Sequence, residues 1–300
     1  MADPRNHASY EWRHWTSDDG LKLAARDYAG DAASASRPTI VCLAGLTRNA
    51  RDFAALAERL AGRWRVVAVD LRGRGRSEPA RDPMSYVPAT YAADVTAMLD
   101  TLAIDRFVGI GTSLGGIVTM LLASALRERI AGVVLNDVGP ELDPAGLGRI
   151  RGYVGKGAAM PTWLHAARAL AEAQGQAYPG YAIEDWLAMA KRLYRLNSAG
   201  RIVLDYDMKI AEPFRVATGE VAPDLWPAFA ALDEVPLLVV RGARSDVLPA
   251  AVAARMVKRP TAQARAELVT IADTGHAPTL DEPAAVAAID RLLSRVDATA

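Results

Sequence analysis

From Thr39 to Asn136 the chain alternates short apolar runs with longer stretches whose apolar residues recur at helical spacing. The runs Thr39–Leu43, Arg65–Asp70, Arg106–Ile110 and Ile130–Asn136 suit strands buried on both faces. Between them, Ala50–Leu60 sets Phe53, Leu56 and Leu60 on one side, and Val87–Leu102 does the same with Val95, Leu99 and Leu102. Upstream, Tyr10–Thr16 and Leu21–Tyr28 alternate as a hairpin around Asp18-Asp19-Gly20, and Ala29–Pro38 reads as a surface loop. The alternation breaks near Gly139-Pro140. From Leu142 to about Ala231 only helical or irregular patterns occur, with Trp163, Trp186, Tyr194 and Trp226 scattered through them. Strand character returns at Pro236–Arg241 and Glu267–Ile271, with helices at Ala250–Val257 and Pro283–Leu293. This order predicts an α/β chain: a mostly parallel sheet covered by helices on both faces, formed by residues 1–139 and 232–300, with a helical insertion at 140–231 after the sixth strand.

Within that frame, Phe107-Val-Gly-Ile-Gly-Thr-Ser-Leu-Gly-Gly116 runs a strand directly into a helix. A turn this sharp crowds its middle residue, and glycine two positions to either side avoids a Cβ collision. The hydroxyl of Ser113 is thereby held proud of the sheet at a helix N-terminus, where unpaired N–H groups favour developing negative charge. The plain alternative is an ordinary glycine-rich strand–helix connection. A serine nucleophile needs a base, and histidine titrates near neutral pH. Of the four histidines, His7 and His14 precede or open the first strand, His165 lies in the insertion, and His276 follows the last strand, where open α/β sheets place their sites.

Gly-x-Ser-x-Gly at Gly111–Gly115, with Gly-x-x-Ser-Asp ending at Asp246 and Gly-His at Gly275-His276, resembles the α/β-hydrolase fold family. Asp70–Ser77 is similar to its Asp-x-Arg-Gly-x-Gly-x-Ser loop, here read as a structural turn beside the site. The resemblance implies a triad in the order Ser113, Asp246, His276, with Asp137, at the end of the Ile130–Asn136 strand, as the competing carboxylate. It implies an oxyanion hole built by the backbone N–H groups of Leu46 and Leu114. Many relatives carry His-Gly where this chain has Ala44-Gly45, so the bracing of that loop differs. It also implies that residues 140–231 cap the site. Arg48 is a candidate anchor for a substrate carboxylate, against the plainer expectation of an i,i+4 ion pair with Asp52. Trp163 and Trp186 are the aromatic candidates for substrate contact, although aromatic residues on helices more often serve a core.

Composition narrows the classes. The 300 residues suit one α/β core with a sizeable insertion, and Lys+Arg balance Asp+Glu at 35 each, with no basic excess for nucleic acid or an anionic membrane. No run reaches the ~18 apolar residues of a membrane span, and the first residues lack a signal-peptide core. The single cysteine, Cys42, lies in a strand-like run and reads as core, which permits a reducing cytoplasm. No H-E-x-x-H and no cysteine pair supports a metal, and Gly109-x-Gly111-x-x-x-Gly115 lacks dinucleotide spacing, so no cofactor is expected. The expected activity is hydrolysis of an ester, lactone or related acyl compound with an apolar portion. A carbon–carbon bond hydrolase with the same triad, or a non-catalytic ligand-binding protein on this fold, are the alternatives. Oligomeric state is not readable.

Overall fold

The computed structural model describes residues 9–216, 224–258 and 266–298. Its main sheet contains β1 (Tyr10–Thr16), β2 (Lys22–Tyr28), β3 (Thr39–Leu43), β4 (Val66–Asp70), β5 (Phe107–Thr112), β6 (Ile130–Asn136), β9 (Leu237–Gly242) and β10 (Ala266–Ile271). Their order across the sheet is β1-β2-β4-β3-β5-β6-β9-β10. β1 and β2 pair antiparallel, as do β2 and β4, and every other pair is parallel.

The strands read as continuous apolar runs because both faces are covered. On β3, Val41 and Leu43 join a cluster with α2 (Pro88–Thr101), α3 (Leu114–Ala125), α8 (Trp226–Ala230) and α9 (Ala250–Val257). Ile40 and Cys42 face the other way, onto α1 (Ala54–Leu60) and α10 (Pro283–Asp297). Alternate residues of the central strands β3 to β6 and β9 therefore enter opposite cores, which leaves no polar face to show a period of two, whereas β1 at the sheet edge is largely exposed.

Between β6 and β9 lie α4 (Pro144–Tyr153), α5 (Trp163–Gln174), α6 (Ile183–Leu193), β7 (Tyr194–Leu196), β8 (Ile202–Leu204) and α7 (Glu212–Val216), followed by α8. The sequence pattern gave only helical or irregular structure here, whereas β7 and β8 pair as a small antiparallel hairpin. Three residues per strand are too few for a periodic signal. The turn is set instead by Asn197, whose side chain accepts hydrogen bonds from the N–H groups of Ala199 and Arg201, and by Gly200 at φ +72°. A second departure is the start of the first predicted helix. Ala50–Phe53 is a 3₁₀ turn, begun by the Asn49 side chain accepting from the Arg51 N–H, and the α-helix follows from Ala54.

Among the described residues no helix is long and apolar enough to cross a membrane.

Candidate active site

β3 and β5 are neighbours, and the chain runs from β3 to β4 on one side and from β5 to β6 on the other, so a crevice opens between them at the carboxyl ends of the strands. Ser113 stands at that edge, between β5 and α3, with φ +53° and ψ −118°, a region side chains other than glycine rarely occupy. A Cβ at Gly115 would strike the Leu43 carbonyl oxygen, and one at Gly111 would strike the Gly115 backbone. The two glycines are what allow the elbow to close. Behind them the Ser113 N–H donates to the Asn136 carbonyl at 3.0 Å, tying the turn to β6.

The loop after β10 brings His276 to the same edge. Its Nε2 lies 2.8 Å from Ser113 Oγ and its Nδ1 2.8 Å from Asp137 Oδ2. Tyr178 grips the next peptide: its hydroxyl donates to the Ala277 carbonyl at 2.7 Å and accepts from the Ala277 N–H at 3.1 Å. Sequence reasoning had no means of finding this contact, since Tyr178 lies in the segment between β6 and β9 and carries no local motif.

The carboxylate is where the structure corrects the expectation. Asp137, not Asp246, meets the imidazole. Asp137 is fully buried directly after β6; its Oδ1 accepts from the Gly242 N–H at 2.9 Å and its Oδ2 from the Ser245 hydroxyl at 2.6 Å. Asp246 turns outward and forms a bidentate pair with Arg149 on α4, at 2.5 and 2.8 Å, with 39% of its side chain exposed. The Arg149 guanidinium, reinforced by the nearby His276, holds the Asp246 carboxyl below the usual carboxylate range. The cause is strand order. β6 lies between β5 and β9, so its carboxyl end is next to Ser113, while the loop after β9 sends Ser245 inward and the residue after it away.

Leu46 follows β3 and Leu114 opens α3, and both line one cavity with Ser113 and His276. The N–H of Leu114, first in its helix, has no intrahelical acceptor. The brace that the missing imidazole left open is Arg74. This buried guanidinium donates from Nε to the Leu46 carbonyl at 3.0 Å, and from Nη1 to the Arg72 carbonyl at 2.7 Å and the Tyr91 hydroxyl at 3.0 Å. Arg72 is fixed in turn by a bidentate pair with Asp94. In the same turn, Asp70 accepts from the N–H groups of Ala50 and Arg76.

The remaining candidates divide. Arg48 pairs with Asp52 through Nη1 at 3.2 and 3.3 Å, and it also lines the cavity. Trp163 and Trp186 do not. Trp186 is buried against the Tyr178 and Tyr181 rings, in a cluster with Met189 and Leu193, and Trp163 packs on that same cluster. Their helical spacing marks the inner face of the helical segment, not the cavity wall. Leu142, Leu147, Ile150 and Tyr153 at α4, with Phe214 of α7, supply that wall. His165 is exposed and bonded to the Thr162 side chain, His14 sits on β1 facing the Leu23 carbonyl at 3.3 Å, and His7 lies outside the described residues. Among the described residues no group of three or more His, Cys, Asp or Glu is gathered to hold a metal ion.

A hydroxyl, an imidazole and a buried carboxylate in line, beside a helix N-terminus, can activate an oxygen nucleophile and hold a developing oxyanion. With this sheet, that is the build of a hydrolase. The chain belongs to the alpha/beta hydrolase family, whose profile matches residues 40–289. It is similar to a 3-hydroxybutyrate-oligomer hydrolase of Cupriavidus necator, 36% identical over 280 residues that span 90% of this chain and 92% of that protein. A 2-(acetamidomethylene)succinate hydrolase of Mesorhizobium japonicum is 27% identical over 220 residues, covering 73% of this chain and 76% of that protein. Among solved structures, an alpha/beta hydrolase from Novosphingobium aromaticivorans has 58% identity and a TM-score of 0.90, over 96% of this chain and 99% of that one.

Proposed function

We propose that the protein is a serine hydrolase of small esters, working through Ser113, His276 and Asp137. The observation that carries this is the unbroken line from hydroxyl to imidazole to buried carboxylate, with 2.8 Å at each step. With Asp137 ionised, Nδ1–H donates to it and Nε2 is left to accept the Ser113 proton. Oγ then attacks the ester carbonyl carbon. The tetrahedral oxygen accepts hydrogen bonds from the N–H groups of Leu46 and Leu114, and as the intermediate collapses His276 returns the proton to the departing alcohol. Water, deprotonated by the same imidazole, releases the acid and restores Ser113.

Size argues for a short substrate. The cavity has a volume of about 120 Å³, a little below the ~150 Å³ that holds a benzene-sized guest. That suits an ester of a few carbons on either side, and the likeness to a 3-hydroxybutyrate-oligomer hydrolase supports an ester as the bond that is cut. The test is fluorophosphonate labelling together with turnover of p-nitrophenyl acetate and butyrate. Wild-type protein should be labelled and active, and Ser113→Ala should lose both. Labelling that survives in Ser113→Ala, or a wild type that hydrolyses no ester, would overturn the assignment.

A further inference from the structure

The wall of this cavity is mostly apolar, yet two arginines, Arg48 and Arg149, line it. Arg48 comes from the loop after β3, whose Gly45 abuts Ser113, and Arg149 comes from α4 on the opposite side. Among the described residues no Asp or Glu lines the cavity. The aspartates that pair with the two arginines lie outside that lining: Asp52 borders an adjoining crevice that Arg48 also lines, with Phe53 and Arg192, and Asp246 is part-exposed, as is Arg149. Each pair holds its arginine in one rotamer at the cavity wall.

The pairs also leave donors over. A guanidinium carries five N–H groups in a fixed fork. Arg48 gives Asp52 only Nη1, and Arg149 gives Asp246 Nε and Nη2. Arg48 Nε and Nη2 and Arg149 Nη1 therefore face no protein carboxylate among the described residues. Tyr153, itself part-exposed, lies beside both arginines and shares a hydrogen bond with Arg149. A wholly apolar ester would strip water from these donors and return nothing. A carboxylate would replace that water with charge-assisted hydrogen bonds.

We propose that Arg48 and Arg149 form a carboxylate subsite, and that the substrate is a small ester bearing a free carboxylate on one side of the bond that is cut. The inference rests on the ester hydrolysis proposed above for its chemistry, but the subsite itself is a matter of binding. Hydrolysis by water then yields an acid and an alcohol, one of which keeps the original carboxylate.

Binding is measured by calorimetry in the full-length Ser113→Ala protein, which cannot turn the ligands over. The probes are 3-acetoxybutyrate against its methyl ester, with the carboxylate on the alcohol half, and monomethyl against dimethyl glutarate, with it on the acyl half. In at least one pair the acid should bind tenfold or more tightly than the neutral ester. Adding Arg149→Met or Arg48→Met should bring that ratio close to one, and Arg149→Lys should keep part of it, which separates lost charge from lost fold. Equal affinity of acid and neutral ester in both pairs overturns the subsite, as does a preference that survives both methionine variants. Turnover of p-nitrophenyl acetate by wild-type protein reports on the esterase reading independently. A protein inert to esters that still shows the arginine-dependent preference would sink that reading and keep the subsite.

Discussion

Asparagine at position 137 separates the two carboxylates more sharply than any other change. Asp137 accepts three contacts: the Gly242 N–H, the Ser245 hydroxyl and the His276 ring. Asparagine can still accept from Gly242 through its oxygen, but its amide meets a Ser245 oxygen that already accepts from the Val247 and Leu248 N–H groups. The imidazole then faces an N–H donor, so Nδ1 must accept and the proton moves to Nε2. In that tautomer the ring cannot take the proton of Ser113. A triad carrying this change in its acid loses about 10⁴ in kcat, which at 1.36 kcal/mol per tenfold is about 5 kcal/mol of transition-state stabilisation. The assay is steady-state hydrolysis of p-nitrophenyl acetate with Ser113→Ala as the blank, and circular dichroism to show that the fold persists, since weakening a charged buried bond costs about 1–3 kcal/mol of stability. Asp246→Asn disturbs only the part-exposed pair with Arg149 and should stay within about tenfold of wild type on this neutral ester. A loss in Asp246→Asn equal to or larger than that in Asp137→Asn would refute the reasoning.

Two further outcomes follow from the same coordinates. Gly115→Ala should destabilise by about 1–3 kcal/mol or prevent folding, because its Cβ meets the Leu43 carbonyl; Gly148→Ala, in α4 with open space around it, should be neutral or stabilise by up to about 1 kcal/mol. Urea melts of the pair check this, and equal midpoints would contradict it. The Asp246 carboxyl is held below its ordinary value chiefly by the hydrogen bond from Arg149, so its contribution is present above the unfolded carboxylate value of about 3.9 and is lost as pH falls through the lower folded value. Because the pair is part-exposed, the effect should be under about 1 kcal/mol, seen as a shallower fall of melting temperature between about pH 5 and 2 in Asp246→Asn than in wild type. Parallel curves would count against it.

The meeting of Ser113 with His276 was readable in advance because each half depends on a short stretch. The elbow is specified by glycines two residues either side of the serine, and only one of four histidines follows the last strand. The parallel sheet was equally accessible, since runs such as Ile40–Leu43 carry no polar position that would give a one-sided pattern. The acid was not. Asp137 and Asp246 both follow sheet strands, and choosing between them requires knowing that β6 borders β5 and that Ser245, not its neighbour, turns inward. Trp163 and Trp186 show the complementary limit. Periodicity tells which face of a helix is buried but not what covers it, and here the cover is another helix of the same segment. Arg74 looked like part of a turn because its partner, the carbonyl of Leu46, lies 28 positions away in the chain.

The turn that carries Arg74 is also stitched to the segment between β6 and β9. The Gly75 N–H donates to the Asp205 carbonyl at 3.1 Å, and the Asp207 N–H donates to the Gly73 carbonyl at 2.7 Å, so the backbone on both sides of Arg74 is anchored to that segment while its side chain holds Leu46. Residues 205–207 border their own crevice with Gly73 and Gly75, apart from the cavity that holds Ser113. A change that displaces them is still felt at the Leu46 carbonyl, because Arg74 spans the two. Exchanging the segment between β6 and β9 for a foreign one would therefore have to carry the contacts to Gly73 and Gly75 with it.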